Sequence, residues 1–254
     1  MRDLVPVYER QTPALPELVA LGPDAPTLDA LFMFMRDAEL RFDSLRMRLV
    51  ERTWGTKGEQ LEVIELWLRH PGHAKVATRL GDDPMSRDFR IWVGDGEVER
   101  SFDARSNIAT ERPVRRRVVG ATADDLPAFA RVYVPRTMLP VESITDSFVH
   151  PHGLVRRVLQ SGETRLLGTA LLGPGREAWV LRCDHPRISH LLTDRPDHWI
   201  QLGVDRMTGL VLLHVEHSGG RVTHHTEVTS LELDSPIPEE AFTLHVSGDV
   251  RRLY

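Results

Sequence analysis

Along the chain the spacing of apolar positions changes from a helical period to a strand period, and that change organises the sequence. Leu28, Leu31, Phe32 and Met35 recur at intervals of three and four, the stripe of an amphipathic helix. Thr27 stands where its hydroxyl can cap that helix, and Asp29 lies in the first turn, where a carboxylate complements the helix dipole. The pattern predicts a helix from Thr27 to about Phe42. From there the period is two. Leu45, Met47 and Leu49 alternate with Arg46 and Arg48; Ile64, Leu66 and Leu68 alternate with Val63, Glu65 and Trp67. Short strands are predicted to follow over His73–Leu80, Phe89–Val93 and Val98–Phe102. Turn chemistry separates them at Gly55–Gly58, His70-Pro71-Gly72, Gly81-Asp82-Asp83-Pro84 and Gly94-Asp95-Gly96. Connections this short imply an antiparallel meander, because parallel neighbours need a crossover of about a dozen residues or more.

The stretch from about Ala121 to Leu159 breaks the alternation. A short helix is predicted over Asp124–Arg131, and Leu139–Val149 reads as helix or loop. A second meander is then expected over Thr164–Leu172, Arg176–Cys183, Trp199–Val204, Leu210–His217 and Arg221–Leu233. Ser218-Gly219-Gly220-Arg221 predicts a two-residue hairpin turn of primed type. Pro236 and Pro238 end the long strands, and a last short strand is expected over Phe242–Val246.

These elements predict an α+β fold. A sheet of about ten antiparallel strands must curl or split. The outcome expected is a strongly curved, incomplete antiparallel barrel, with helices covering its concave side. Strand alternation places Leu49, Ile64, Leu66, Val76, Phe89, Ile91 and Phe102 on the lining, as the wall of a cavity or as a solid core. Residues 1–26 carry five prolines (Pro6, Pro13, Pro16, Pro23, Pro26) and read as an arm, leaving 27–254 as a single domain.

Composition narrows the function classes. The chain has 254 residues, 41% hydrophobic and 27% charged, enough to bury a core without disulfides or metals. With 32 Lys plus Arg against 37 Asp plus Glu, the net charge of -5 argues against a nucleic-acid binder driven by global charge. The run from Arg112 to Arg117, with Arg115 and Arg116, lacks interleaved aromatics and is expected to be a solvated strand edge. The lone Cys183 excludes an internal disulfide and is expected to be a buried strand residue. No apolar run marks a signal peptide between Met1 and Leu21, and no stretch has the length and apolarity of a transmembrane helix. The expectation is a cytoplasmic protein. No phosphate-binding glycine loop, zinc-protease helix or serine-nucleophile elbow is present, so no cofactor is expected and an enzyme is disfavoured.

Among the 12 histidines, those around the Gly219-Gly220 turn are the most suggestive. A plain two-residue turn pairs His214 with His225 and Glu216 with Thr223. His214, Glu216 and His225 then share a face, a donor set suited to zinc. Val211, Leu213, Val215, Val222 and Val228 would form the core side, so the histidine group is expected outside, as an ordinary solvated strand face. The loops His150-Pro151-His152 and Asp184-His185-Pro186, with His190, match no established ligand spacing.

Four stretches in order carry a resemblance: Glu65-Leu66-Trp67-Leu68-Arg69-His70-Pro71, Ile91-Trp92-Val93-Gly94-Asp95-Gly96, Val204-Asp205-Arg206-Met207-Thr208-Gly209-Leu210 and Pro238-Glu239-Glu240-Ala241-Phe242-Thr243-Leu244. Together they resemble the lipoprotein carrier protein superfamily of LolA and LolB, with the periplasmic regulator RseB a more distant relative. The resemblance implies an unclosed, curved sheet with a helical lid over an apolar cavity. It implies a non-enzymatic role, holding an apolar or acylated ligand, or regulating through a protein partner. The carrier arginine before the proline falls on His70. His70 would share the face of Leu66 and Leu68 and could tie down the lid. A partner-binding module using the sheet face or the proline-rich arm is the alternative, and a solid interior would favour it. A metal-dependent enzyme is the weaker third reading.

Overall fold

The computed structural model describes residues 18–56, 58–114, 135–140, 143–185 and 197–244, and the backbone of 251–253. The first meander comprises β1 (Ser44–Gly55), β2 (Gly58–Arg69), β3 (His73–Leu80), β4 (Phe89–Gly94), β5 (Val98–Asp103) and β6 (Ile108–Pro113). The second comprises β7 (Glu163–Leu172), β8 (Arg176–Asp184), β9 (Trp199–Asp205), β10 (Val211–Ser218) and β11 (Arg221–Leu233). A short β12 (Arg251–Leu253) lies parallel to β6. All of them join one sheet in the order β12-β6-β5-β4-β3-β2-β1-β11-β10-β9-β8-β7. Among the described residues the order has two ends, so the sheet is an open, curved half-barrel. The meanders meet where β1 pairs antiparallel with β11, Leu45 opposite Leu233 and Thr53 opposite His224.

Helices cover the concave side. In α1 (Leu28–Arg36) the Thr27 hydroxyl accepts from the Ala30 amide at 3.3 Å, as expected of a cap. The helix ends at Arg36, short of Phe42. A 3-10 turn over Ala38–Arg41 replaces its last part and carries Glu39 into the interior. The ambiguous Leu139–Val149 segment contains α2 (Ile144–Val149), capped by the Ser143 hydroxyl. A turn at His152–Leu154 then runs into π-helical Val155–Leu159. The helix expected over Asp124–Arg131 lies outside the described residues. Among the described residues, no helix is long and apolar enough to cross a membrane.

Directly opposed residues of neighbouring strands share a face. Leu45, Met47 and Leu49 therefore face inward with Leu68, Leu66 and Ile64 and, one strand further, with Ala74 and Val76. They bury in one core with Leu31, Phe34 and Met35 of α1, Phe148 and Val149 of α2, and Leu181, Ile200 and Leu202 of the second meander. Phe89, Ile91 and Phe102 are not part of this lining. Val76 lies opposite Trp92, so Trp92 takes the inner side of β4, while Ile91 opposes Ala77 and Phe102 on the outer side. There the Phe89 and Phe102 rings meet at 5.9 Å. Apolar side chains occupy both sides of β4, and alternation alone chose the wrong one. Val63 and Val93 on that outer face are buried as well.

The chain terminus also differs from expectation. Phe242 ends a 3-10 turn (Glu239–Phe242) and Thr243 and Leu244 form no strand; residues 245 and 246 of the expected strand lie outside the described residues, and a short strand is found at Arg251–Leu253. Pro238 cannot donate to a ladder, and the segment it leads is held by side chains instead: Arg69 pairs with Glu239 and lies over the Phe242 ring at 5.0 Å.

The Val204–Leu210 stretch shows why its residues are needed. Asp205 is fully buried and accepts from Arg176 Nε at 2.8 Å, Arg176 Nη2 at 2.9 Å, the Thr208 amide at 3.0 Å and the Thr208 hydroxyl at 2.6 Å. Gly209 has φ +82, and a β-carbon there would sit 2.9 Å from the Phe34 carbonyl, so this turn is where α1 lands on the sheet. Removing the carboxylate strands buried donors. Asp205→Ala is expected to destabilise the fold by about 3 kcal/mol, read as a lowered urea midpoint with an unchanged slope.

Candidate functional site

Three places on this frame carry chemistry. The first is the apolar interior. Leu49, Ile64, Leu66 and Val76 face inward as expected, and they are core residues, between 0% and 7% exposed. The space they were expected to line is filled by the chain's own helices. A surface groove of about 350 Å³ lies elsewhere, between Leu21 and Pro23 of the arm, Arg176 and Trp179 of β8, and the Asp205–Met207 turn. The end of the arm is docked rather than free: Arg41 Nη2 donates to the Val19 carbonyl at 2.7 Å and Arg206 Nη2 to the Pro23 carbonyl at 3.1 Å. The first 17 residues of the arm lie outside the described residues.

The second place is around His70. The ring faces inward, is buried, and stacks on Phe42 at 5.3 Å. Its Nδ1 is 2.8 Å from the hydroxyl of Thr137, which also accepts from the Gly72 amide at 2.8 Å. Thr137 belongs to the chain between the meanders, so this contact links the turn after β2 to that segment. Arg69 faces outward, as alternation requires. Burial pushes the His70 pKa down to about 4. Beside it, the Glu39 carboxylate accepts from the Arg136 amide and lies 3.2 Å from His150 Nε2, while His150 Nδ1 is 2.8 Å from Asp146. Burial alone would lower the His150 pKa, but the hydrogen bonds and charges of Asp146 and Glu39 outweigh it and hold it at about 9. The His150–Glu39 pair thus pins α2 to the turn after α1. Sequence spacing alone could not find it, because Glu39, Thr137 and His150 come together only in the fold.

The third place is the opposite end of the inner face, where the structure corrects the histidine expectation. Gly219 and Gly220 both have positive φ and form the predicted turn. A bulge follows at Thr223, however. His217 pairs with Val222, and Glu216 then pairs with His224 and His214 with Thr226. The one-residue shift turns His225 to the outer face, opposite Val215, and brings His224 in its place. The group also faces the interior, not solvent. His214 lies opposite Leu202 and Thr226, and Glu216 opposite Ile200, all on the side of the core. A second bulge, at Leu212, lets Val211 face the same core. Leu213 and Val215 sit on the outer side and are buried there. His198, just ahead of β9, points to the same cluster, with its Nε2 3.8 Å from Glu216 Oε2. Burial pushes the His214 pKa down to about 3. Of the other loop histidines, His150 is committed to Glu39 and Asp146, and His190 lies outside the described residues. Cys183 is a buried strand residue whose thiol pKa burial raises. Arg112 is exposed beside Glu99 at the end of β6, a strand that β12 flanks over Ile108–Thr110; Arg115, Arg116 and Arg117 lie outside the described residues.

Comparison with solved structures places this architecture. The structure of MucB matches over 88% of this chain and 64% of its own, at 17% identity and a TM-score of 0.50. The chain has the LolA/RseB-like fold. A complex of MucA and MucB from Pseudomonas aeruginosa matches over 85% of this chain and 60% of that one, at 20% identity and a TM-score of 0.48. A LolA superfamily protein from Nitrosomonas europaea matches over 87% and 99%, at 11% identity and a TM-score of 0.32. The chain thus spans under two thirds of the length of the MucB structures. No protein-family model and no curated protein matches the sequence. Of the stretches carrying the resemblance, the first three fall at the end of β2, at the end of β4 and in the β9–β10 turn, each a turn that sets a strand register. The fourth forms the 3-10 turn instead of a strand. The fold gives the cytoplasmic expectation no support.

The two buried histidines near the covering segment make stability depend on pH in opposite senses. His150 has a folded pKa above its ordinary 6.5, so its contribution is complete below that value and is lost as pH rises through about 9. His70 has a folded pKa below 6.5, so its contribution is present above 6.5 and is lost as pH falls towards about 4. Urea midpoints are expected to fall on both sides. His150→Gln is expected to flatten the alkaline side and to cost about 3–5 kcal/mol at neutral pH, because it leaves Glu39 buried without its cation. An alkaline slope unchanged by that substitution would assign it to another group.

Proposed function

We propose that the chain is a non-enzymatic binding module that engages a protein partner on its exterior. The observation that carries this reading is the filled inner face. Leu49, Ile64 and Leu66 share one packed core with Leu31, Met35 and Phe148, so the residues that would hold an acyl chain already hold the covering helices. An acylated ligand in that place would have to displace α1. Displacement would expose side chains worth about 25 cal/mol for each Å² returned to water.

The exterior offers a receptive edge. Among the described residues, β7 has no neighbour on its outer side. It therefore presents a row of backbone donors and acceptors to which an extended segment can add as another strand. Its exposed side chains include Leu167 and Leu171, the latter 71% exposed, apolar anchors beside the open hydrogen-bonding edge. MucB has been seen in complex with MucA(peri), which supports partner binding as a use of this fold. The cytoplasmic placement remains a reading of the amino-terminal residues alone, and partner binding at β7 does not depend on it.

Organic extraction of untagged protein purified under native conditions, followed by mass spectrometry, tests the choice. The expected result is no stoichiometric acyl species. A near-stoichiometric acyl species, lost on Leu66→Asp in folded protein, would overturn the reading in favour of a carrier. A photo-crosslinking residue at Leu171 is expected to capture a discrete protein that the same residue at exposed Met85 does not. Leu171→Lys is then expected to weaken that partner about tenfold or more.

A further inference from the structure

The cluster at the open end of the inner face has a geometry that the partner-binding role does not use. Glu216 Oε1 lies 3.7 Å from His214 Nε2 and 3.8 Å from His224 Nδ1, and its Oε2 lies 3.8 Å from His198 Nε2. These separations exceed a hydrogen bond. They nevertheless converge: the ligating atoms of His214, Glu216 and His224 lie within 4.8 Å of one another. Two ligands on tetrahedral zinc, with bonds of about 2.0–2.1 Å, stand about 3.4 Å apart. Small side-chain rotations would bring these atoms to that spacing.

The hydrogen bonds around the cluster leave the right atoms free. His224 Nε2 is 2.9 Å from Glu51 Oε1 and 2.9 Å from the Thr226 hydroxyl. An Nε2 proton donated to Glu51 leaves the Nδ1 lone pair turned towards Glu216. A carboxylate behind the imidazole is the usual companion of a metal-bound histidine, fixing both its tautomer and its orientation. His214 Nε2 is buried and has no hydrogen-bond partner among the described residues, an orphaned acceptor or donor of the kind native interiors rarely leave. His198 is 5% exposed and its Nδ1 is likewise unpartnered among the described residues.

We propose that His214, Glu216 and His224, with His198 as the fourth donor, form a binding site for a divalent transition-metal ion. Imidazole nitrogen with one carboxylate oxygen suits zinc, and is poorly matched to calcium or magnesium, which favour all-oxygen shells. His198 Nε2 lies beside Glu216 Oε2 and outside the converging set of three, so it must swing towards the ion to complete the tetrahedron; with it as fourth donor no position is left for a substrate, and the site is structural. It braces β9, β10 and β11 to one another and, through Glu51, to β1 across the seam between the meanders.

Zinc titration of untagged, chelator-treated protein by calorimetry tests the site, with cobalt(II) spectroscopy as a report of coordination geometry. One equivalent of zinc is expected, together with the intense visible bands of tetrahedral cobalt and a raised thermal midpoint. His214→Gln and His224→Gln are expected to abolish tight binding. His225→Gln, on the opposite face, is expected to leave it intact. Glu51→Gln keeps every ligand and is expected to weaken affinity about 10–100-fold, which keeps the proposal testable if the buried His214 variant fails to fold. Substoichiometric zinc, or binding that survives both His214→Gln and His224→Gln in folded protein, would overturn it.

Discussion

The pairing of β1 with β11 holds the molecule together. Among the described residues, apart from the short β12 contact, every other strand pairing is between sequence neighbours, so each meander can form from local contacts. This contact spans the greater part of the chain and turns two meanders into one curved sheet. Its closure cost in chain entropy is met by a row of inward apolar side chains, Leu45 opposite Leu233 and Met47 opposite Leu231. It is locked at one end by Asp234, whose carboxylate accepts from the amides of Asp43 at 2.7 Å and Ser44 at 3.1 Å. The Ser44 hydroxyl donates back to the Ser235 carbonyl at 2.9 Å. The helical cover follows from the seam, because only the joined sheet presents a concave apolar surface wide enough to bury α1 and α2 together.

The inner face is apolar in its middle and polar at both ends, and the ends are resolved differently. Around His70 the buried polar groups find partners in the covering segment: Thr137 for the ring, and Glu39 with Asp146 for His150. That end works as a clasp. At the far end no covering segment among the described residues supplies partners to His214 Nε2, and Glu216 stands at distances of 3.7 to 3.8 Å from three imidazoles. One end is therefore satisfied by the fold itself. The other has donors gathered around a point, which is what a ligated ion requires.

Much of the fold is legible in the chain. The period-two runs mark the strands, the glycine-rich turns mark their ends, and β3 and β11 fall on the residues expected. Thr27 caps α1. The order of the turn motifs indicates the half-barrel with its helical cover. The candidate site is less legible. His70 and the inward leucines of β1 and β2 follow from alternation, whereas Phe89, Ile91 and Phe102 do not, because β4 is apolar on both sides. β6 escapes notice because its Ile108–Pro113 run mixes charge and small residues without a clean period.

What the sequence determined by itself is local: where strands and turns fall, which helix is capped, and which residues within one strand share a face. What the tertiary structure decided is parity and filling. Single extra residues at Leu212, Thr223 and Thr229 reset the alternation between partner strands. An unremarkable leucine or threonine carries no mark that it will bulge. Those shifts turn His214 inward and exchange His225 for His224. Filling is equally non-local, since the apolar stripe of α1 fits a core or a lid alike until the seam brings the concave sheet beneath it. A period of two fixes which neighbours agree; only the assembled ladder fixes which side is inside.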